Sequence, residues 1–146
     1  MEHHYQSPWF VEALQKEGDL KINQLDLNLN TDICIIGGGF TGLWTALKIK
    51  EKKPKINVVV IEKDLCGSGA SGRNGGCMIP QSTKFQGIKE IVGLKDAKNI
   101  VMATEAAVNN IKDYCKKNNI DAQIRDDGVF YGATNKFHKG AFEGLI

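Results

Sequence analysis

The sequence predicts an α/β fold, and three observations carry that prediction. An apolar run, Thr31 to Ile36, passes straight into Gly37-Gly38-Gly39-Phe40-Thr41-Gly42, a G-x-G-x-x-G pattern. A second apolar run, Val58-Val59-Val60-Ile61, ends at the carboxylate Glu62. A second glycine-rich stretch, Gly69-Ala70-Ser71-Gly72-Arg73-Asn74-Gly75-Gly76, follows soon after. Strand, glycine turn, helix and strand in succession form a Rossmann-like βαβ unit of about thirty residues. The expected architecture is that unit followed by the start of an α+β substrate domain, and it is incomplete, because a fold of this type needs more parallel strands than two.

Taken in order, residues 1–30 are a polar lead-in. Ser7-Pro8-Trp9 opens a helix within it, with Ser7 as N-cap and Pro8 at the first helical position. Thr31–Ile36 has the unbroken apolar character of a strand buried on both faces. A helix is expected over Phe40–Lys52, with Leu43, Ala46, Leu47 and the stem of Lys50 facing inward and Pro54 ending it. The second strand covers Ile56–Glu62. Asp64–Gly76 has no periodicity and reads as loop. A short helix is expected over Phe85–Val92. A longer one over Asp96–Asn118 has apolar or small residues at 97, 100, 101, 104, 107, 108, 111 and 115, the 3.6-residue stripe of an amphipathic helix. Asp121–Arg125 and Val129–Ala133 flank Asp126-Asp127-Gly128 and predict a hairpin. The domain boundaries expected are a lead-in over 1–30, a partial dinucleotide-binding subdomain over 31–85, and the beginning of a substrate or cap domain over 86–146.

Composition narrows the function. The chain has 146 residues, 42% of them apolar and 25% charged, with a net charge of +2. Its lysines are dispersed, so no basic stripe points to nucleic acid. No apolar run reaches the ~18 residues of a membrane span, and no basic-then-apolar start marks secretion. The four cysteines, Cys34, Cys66, Cys77 and Cys115, form no C-x-x-C pair, which argues against zinc and a disulfide framework and favours a reducing cytoplasm. Cys34 reads as core filler. His3 and His4 read as a mobile terminus and His138 as surface, so no metal site is expected.

The chemistry of the first motif follows from its parts. Gly37 makes the tight turn out of the strand, Gly39 leaves room for a pyrophosphate, and Gly42 lets helix and strand pack closely. The helix starting at Phe40 aims unpaired N–H groups and its positive dipole end at the phosphates. Glu62 stands where a carboxylate accepts the ribose hydroxyls, and its charge disfavours a 2′-phosphate. This motif by itself does not separate FAD from NAD.

The second motif bears on that choice. The run Ala70-Ser71-Gly72-Arg73-Asn74-Gly75-Gly76, shortly after Glu62-Lys63, resembles the FAD-dependent D-amino-acid oxidase superfamily, and within it the bacterial amine-oxidising branch typified by gamma-glutamylputrescine oxidase. The Ser-Pro-Trp lead-in and the segment around Asp127-Gly128-Val129 are similar to the same family, so the likeness covers roughly residues 7–133. The resemblance implies an FAD cofactor, with Phe40 and Thr41 at the pyrophosphate and Glu62 and Lys63 at the adenosine. It places Gly69, Ala70 and Ser71 along the phosphate and ribityl chain, and Asn74, Gly75 and Gly76 beside the isoalloxazine. Arg73 has two readings, one holding loop carbonyls and one approaching the flavin. Cys77 is read as inert packing rather than a point of covalent attachment.

The resemblance further implies oxidation of a C–N bond in a small amine or amino acid: hydride passes to the flavin and the resulting imine hydrolyses. No residue of 1–146 is nominated as catalytic. Because family members are roughly two to three times longer, the chain is expected to be an N-terminal fragment. Alone it is expected to bind FAD weakly or not at all and to turn nothing over. The competing expectations are a non-catalytic FAD-binding remnant that requires a partner chain, and an NAD-dependent dehydrogenase. The last is disfavoured because residues 69–76 would then have no task.

Overall fold

The computed structural model describes residues 7–18, 24–130 and 132–140. Residues 1–6, which include His3 and His4, residues 19–23, Tyr131 and the last six residues lie outside the described residues. The chain divides into two compact units, Met1–Cys77 and Met78–Ile146.

The first unit opens with α1 (Pro8–Glu17). Ser7 caps it as expected: its hydroxyl accepts the Phe10 N–H at 3.2 Å, and Pro8 occupies the first turn, where its missing N–H costs nothing. Next come β1 (Ile33–Ile36), α2 (Phe40–Lys52) and β2 (Val58–Ile61). The strands pair in parallel, Ile33 with Val58 through Ile36 with Ile61, which completes the βαβ unit. Both strands are shorter than expected, β1 lacking Thr31 and Asp32 and β2 lacking Ile56, Asn57 and Glu62. At the leading end side chains replace the ladder: the Thr31 hydroxyl donates to the Asn57 carbonyl at 3.0 Å and Asp32 Oδ2 accepts the Asn57 N–H at 2.9 Å.

The expectation of strands buried on both faces is corrected. Ile36 is 89% exposed, and Cys34, read as core filler, is exposed as well. The reason is geometric: α2 covers one face of the two-stranded sheet, and no described element covers the other. Of the α2 positions expected to face inward, Ala46 and Leu47 are half-buried, whereas Leu43 is exposed. Lys50 folds back so that its ammonium donates to the carbonyls of Pro54 and Ile56 at 2.5 and 2.9 Å. Cys77 is also exposed, which corrects its reading as packed. After β2 the chain forms the predicted loop, with one 3-10 turn at Ala70–Gly72.

The second unit is built on α3 (Phe85–Lys117), preceded by a 3-10 turn at Gln81–Lys84. The two helices read from the sequence are contiguous but broken at Gly93, whose φ of 81° and ψ of 168° are not helical. The Thr104 hydroxyl accepts the Gln81 N–H at 3.0 Å and fastens the turn to the helix. Ala97 is fully buried, and Val101, Thr104, Val108, Ile111 and Cys115 on the same stripe are half-buried. The hairpin expected over 121–133 is not formed among the described residues, which carry no strand there. Gly128 has the positive φ of a turn residue, 81°, but a lone two-stranded hairpin is marginal in water. An ion pair between Lys112 and Asp126 at 2.6 Å joins the segment to α3.

Candidate functional site

The first glycine turn leaves β1 at Gly37, whose φ of 104° excludes most side chains. Its N–H donates to the Ile61 carbonyl at 2.8 Å, tying the turn to the end of β2. Gly38 donates to Glu62 Oε2 at 2.7 Å, and Asp64 donates to Oε1 at 3.2 Å. The Gly38 N–H is the largest of the influences that hold the Glu62 carboxyl below its ordinary range. Burial opposes it, while the N–H groups of Asp64 and Lys63 and the Lys63 charge assist. A carboxylate offers about four lone-pair positions. Two are taken by the turn, so Glu62 shapes the loop and retains acceptor capacity for hydroxyl groups. Gly42 sits directly behind Gly37: a Cβ there would lie 2.0 Å from the Gly37 carbonyl oxygen.

A second turn repeats this construction. Gly67-Ser68-Gly69-Ala70-Ser71-Gly72 is itself G-x-G-x-x-G. Gly67 has a φ of 86°, and a Cβ on Gly72 would lie 2.2 Å from the Gly67 carbonyl oxygen. Sequence reasoning began this motif at Gly69 and missed Gly67, although the repeated glycine spacing was there to find. The two turns are bonded to each other. Gly67 donates to the Gly38 carbonyl at 3.0 Å, and Phe40, at the start of α2, donates to Ser71 Oγ at 2.9 Å.

Together the turns wall a groove of 660 Å³. Of the residues nominated from sequence, Gly37, Gly39, Glu62, Lys63, Gly69, Ala70 and Ser71 line it. Phe40, Thr41 and Gly42 stand just behind, on the first turn of α2. Asn74, Gly75 and Gly76 continue the second loop beyond the groove wall, where Asn74 Nδ2 donates to the Ser71 carbonyl at 2.6 Å and Asn74 Oδ1 accepts the Gly76 N–H at 2.7 Å. Arg73 lines the groove, and its Nε donates to the Gly69 carbonyl at 3.3 Å, so it braces the loop from within. Phe10, Ile36, Ile61, Asp64 and Ser68 also line it and were not anticipated. A Cβ built on Gly37 or Gly69 would meet no atom within 4 Å, so the backbone there faces open space. Backbone amides beside an open cradle, at a helix N-terminus and next to an ionised acid, suit a diphosphate joined to a ribose. Among the described residues no cluster of side chains suits a metal ion, and no helix is long and apolar enough to cross a membrane.

The family model described as FAD dependent oxidoreductase matches residues 32–145. The chain is 33% identical over 113 residues to gamma-glutamylputrescine oxidoreductase of Escherichia coli, covering 77% of this chain and 26% of that protein. It is 30% identical over 109 residues to L-2-hydroxyglutarate dehydrogenase of Indibacter alkaliphilus, covering 74% of this chain and 24% of that one. The chain thus spans about a quarter of the length of these relatives. No solved structure matches it.

Proposed function

Because the chain belongs to the FAD-dependent oxidoreductase family, we propose that it supplies the FAD-binding portion of an enzyme that oxidises the C–N bond of a small amine or amino acid. The observation that carries this reading is the shared groove: two glycine turns, hydrogen-bonded to each other, present their backbones to one open cradle beside Glu62. In it, Gly37, Gly39 and the N-terminal turn of α2 would hold the diphosphate, and Glu62 and Lys63 the adenosine. Gly69, Ala70 and Ser71 would follow the ribityl chain, with Asn74, Gly75 and Gly76 toward the ring. When bound, FAD supplies the hydride acceptor. The chain's own part is to bind it, fix its direction and exclude water from its diphosphate. Since relatives are about four times as long, the reaction is assigned to this portion acting with further polypeptide, in the same chain or in a partner.

The C–N specificity follows the similarity to the Escherichia coli amine oxidoreductase. The similarity to L-2-hydroxyglutarate dehydrogenase favours a second reading, oxidation of a 2-hydroxy acid at its C–O bond. Thermal melts with FAD and with NAD, made on the longer protein that carries this portion, test the cofactor. FAD is expected to raise the melting temperature and NAD to leave it unchanged, whereas equal shifts or none would sink the assignment. With that longer protein loaded with FAD and oxygen excluded, bleaching of the visible flavin band by amines but not by 2-hydroxy acids selects the first reading, and the reverse selects the second.

A further inference from the structure

We propose that α1 is a clamp on the second glycine loop and that Ser7, Trp9 and Phe10 are positioning residues for it. Each reaches the loop at a separate place. The Ser7 hydroxyl accepts the Phe10 N–H and donates its own proton to the Gly72 carbonyl, so one side chain caps the helix and bridges to the loop. Trp9 Nε1 donates to the Asn74 carbonyl at 3.0 Å. The Phe10 ring lies over the paired glycines: a Cβ on Gly72 would be 3.3 Å from its Cδ2, and one on Gly67 would be 3.8 Å from its Cε2. Phe10 is also part of the groove wall.

The loop's own bonds span only a few residues: Gly72 N–H to Gly69, Arg73 Nε to Gly69 and Asn74 Nδ2 to Ser71. Such bonds shape the turn but do not locate it. Its position against β1 and α2 comes from Gly38 and Phe40 on one side and from α1, some 65 residues earlier in sequence, on the other. Ser7 and Trp9 grip the carbonyl oxygens of Gly72 and Asn74, so α1 holds the loop without engaging its N–H groups. The consequence for a cofactor rests on the FAD reading given above, whereas the clamp itself does not.

The chain has only two arginines, Arg73 in the loop and Arg125 in the exposed segment of the other unit. An arginine-specific protease therefore reports loop opening at one site and provides a reference at the other. Ser7→Ala and Trp9→Phe are each expected to speed cleavage at Arg73 at least about fivefold relative to Arg125, the effect on the open population of losing the one hydrogen bond each makes to the loop. Ser7→Thr, which keeps the hydroxyl, should restore the slow rate. In Trp9→Phe the sole remaining tryptophan is Trp44 of α2, so its emission follows unfolding of the βαβ unit separately. Faster cleavage at Arg73 with the Trp44 denaturation midpoint unchanged supports the clamp. An unchanged Arg73 rate, or one that rises only as that midpoint falls, overturns it. FAD added to the longer protein that carries this portion should slow cleavage at Arg73. If FAD gives no protection there while the variants still open the loop, the clamp stands and the cofactor reading fails.

Discussion

At Gly42 a Cβ would sit 2.0 Å from the carbonyl oxygen of Gly37, and at Gly72 one would sit 2.2 Å from that of Gly67. Both neighbours are backbone and cannot rotate aside. Gly42→Ala and Gly72→Ala should therefore each lower unfolding free energy by about 1–3 kcal/mol. Gly75→Ala, which meets open space, should stay within about 0.5 kcal/mol; urea melts of the three variants make the comparison. Glu62 carries a second prediction. Its carboxyl is held below the ordinary value of 4.5, first by the Gly38 N–H. A depressed folded-state value contributes stability above the unfolded-state value, and that contribution is lost as pH falls through the folded one. Glu62→Gln does not titrate. The stability gap between it and the native chain should be constant near neutrality and close below pH 4.5. A gap that is the same at both ends of the titration would mean the charge plays no part. The glycines and the acid were legible from their order in sequence. That Glu62 would close the turn through Gly38 was not, because a carboxylate's partner is set by where the strands bring it.

Among the elements, α1, β1, α2 and β2 follow from local signals: a Ser-Pro cap, apolar runs, and a proline after Lys53. The break in α3 has a local cause as well. Gly93 adopts φ 81° and ψ 168°, a conformation close to glycine-only. Gly93→Ala should cost about 1–3 kcal/mol, measured by thermal melts of the chain; a stabilised variant would instead show that the helix prefers to run straight through. The expected hairpin failed for a non-local reason. Its turn signal was sound, since Gly128 takes a positive φ, but strands flanking a turn pair stably only against a third strand or a helix. Cys34 and Ile36 fail in the same way, as apolar residues placed for a sheet face that nothing described here covers.

For the molecule as a whole, the two units answer different questions. Met1–Cys77 contains the groove and every residue proposed to hold the cofactor, so the FAD and NAD melts report on it. Met78–Ile146 contributes the broken helix and an exposed segment in which Phe130 is 94% exposed. Exposed apolar residues of this kind, together with an uncovered parallel sheet, are what the family's remaining length would be expected to bury. The proposed activity therefore belongs to a larger assembly than the 24–26% of relatives' length spanned here.

The order of residues alone determined the βαβ unit, the capped first helix, the glycine turn with its acid, and the kind of ligand they suit. Each depends on φ/ψ preference or apolar period over a few neighbours. Tertiary structure decided that the two glycine turns share one groove, that Glu62 pairs with Gly38, and that α1 grips the second loop. Those contacts join groups 24 to 65 residues apart, and only the folded path of the chain brings such groups within hydrogen-bonding distance.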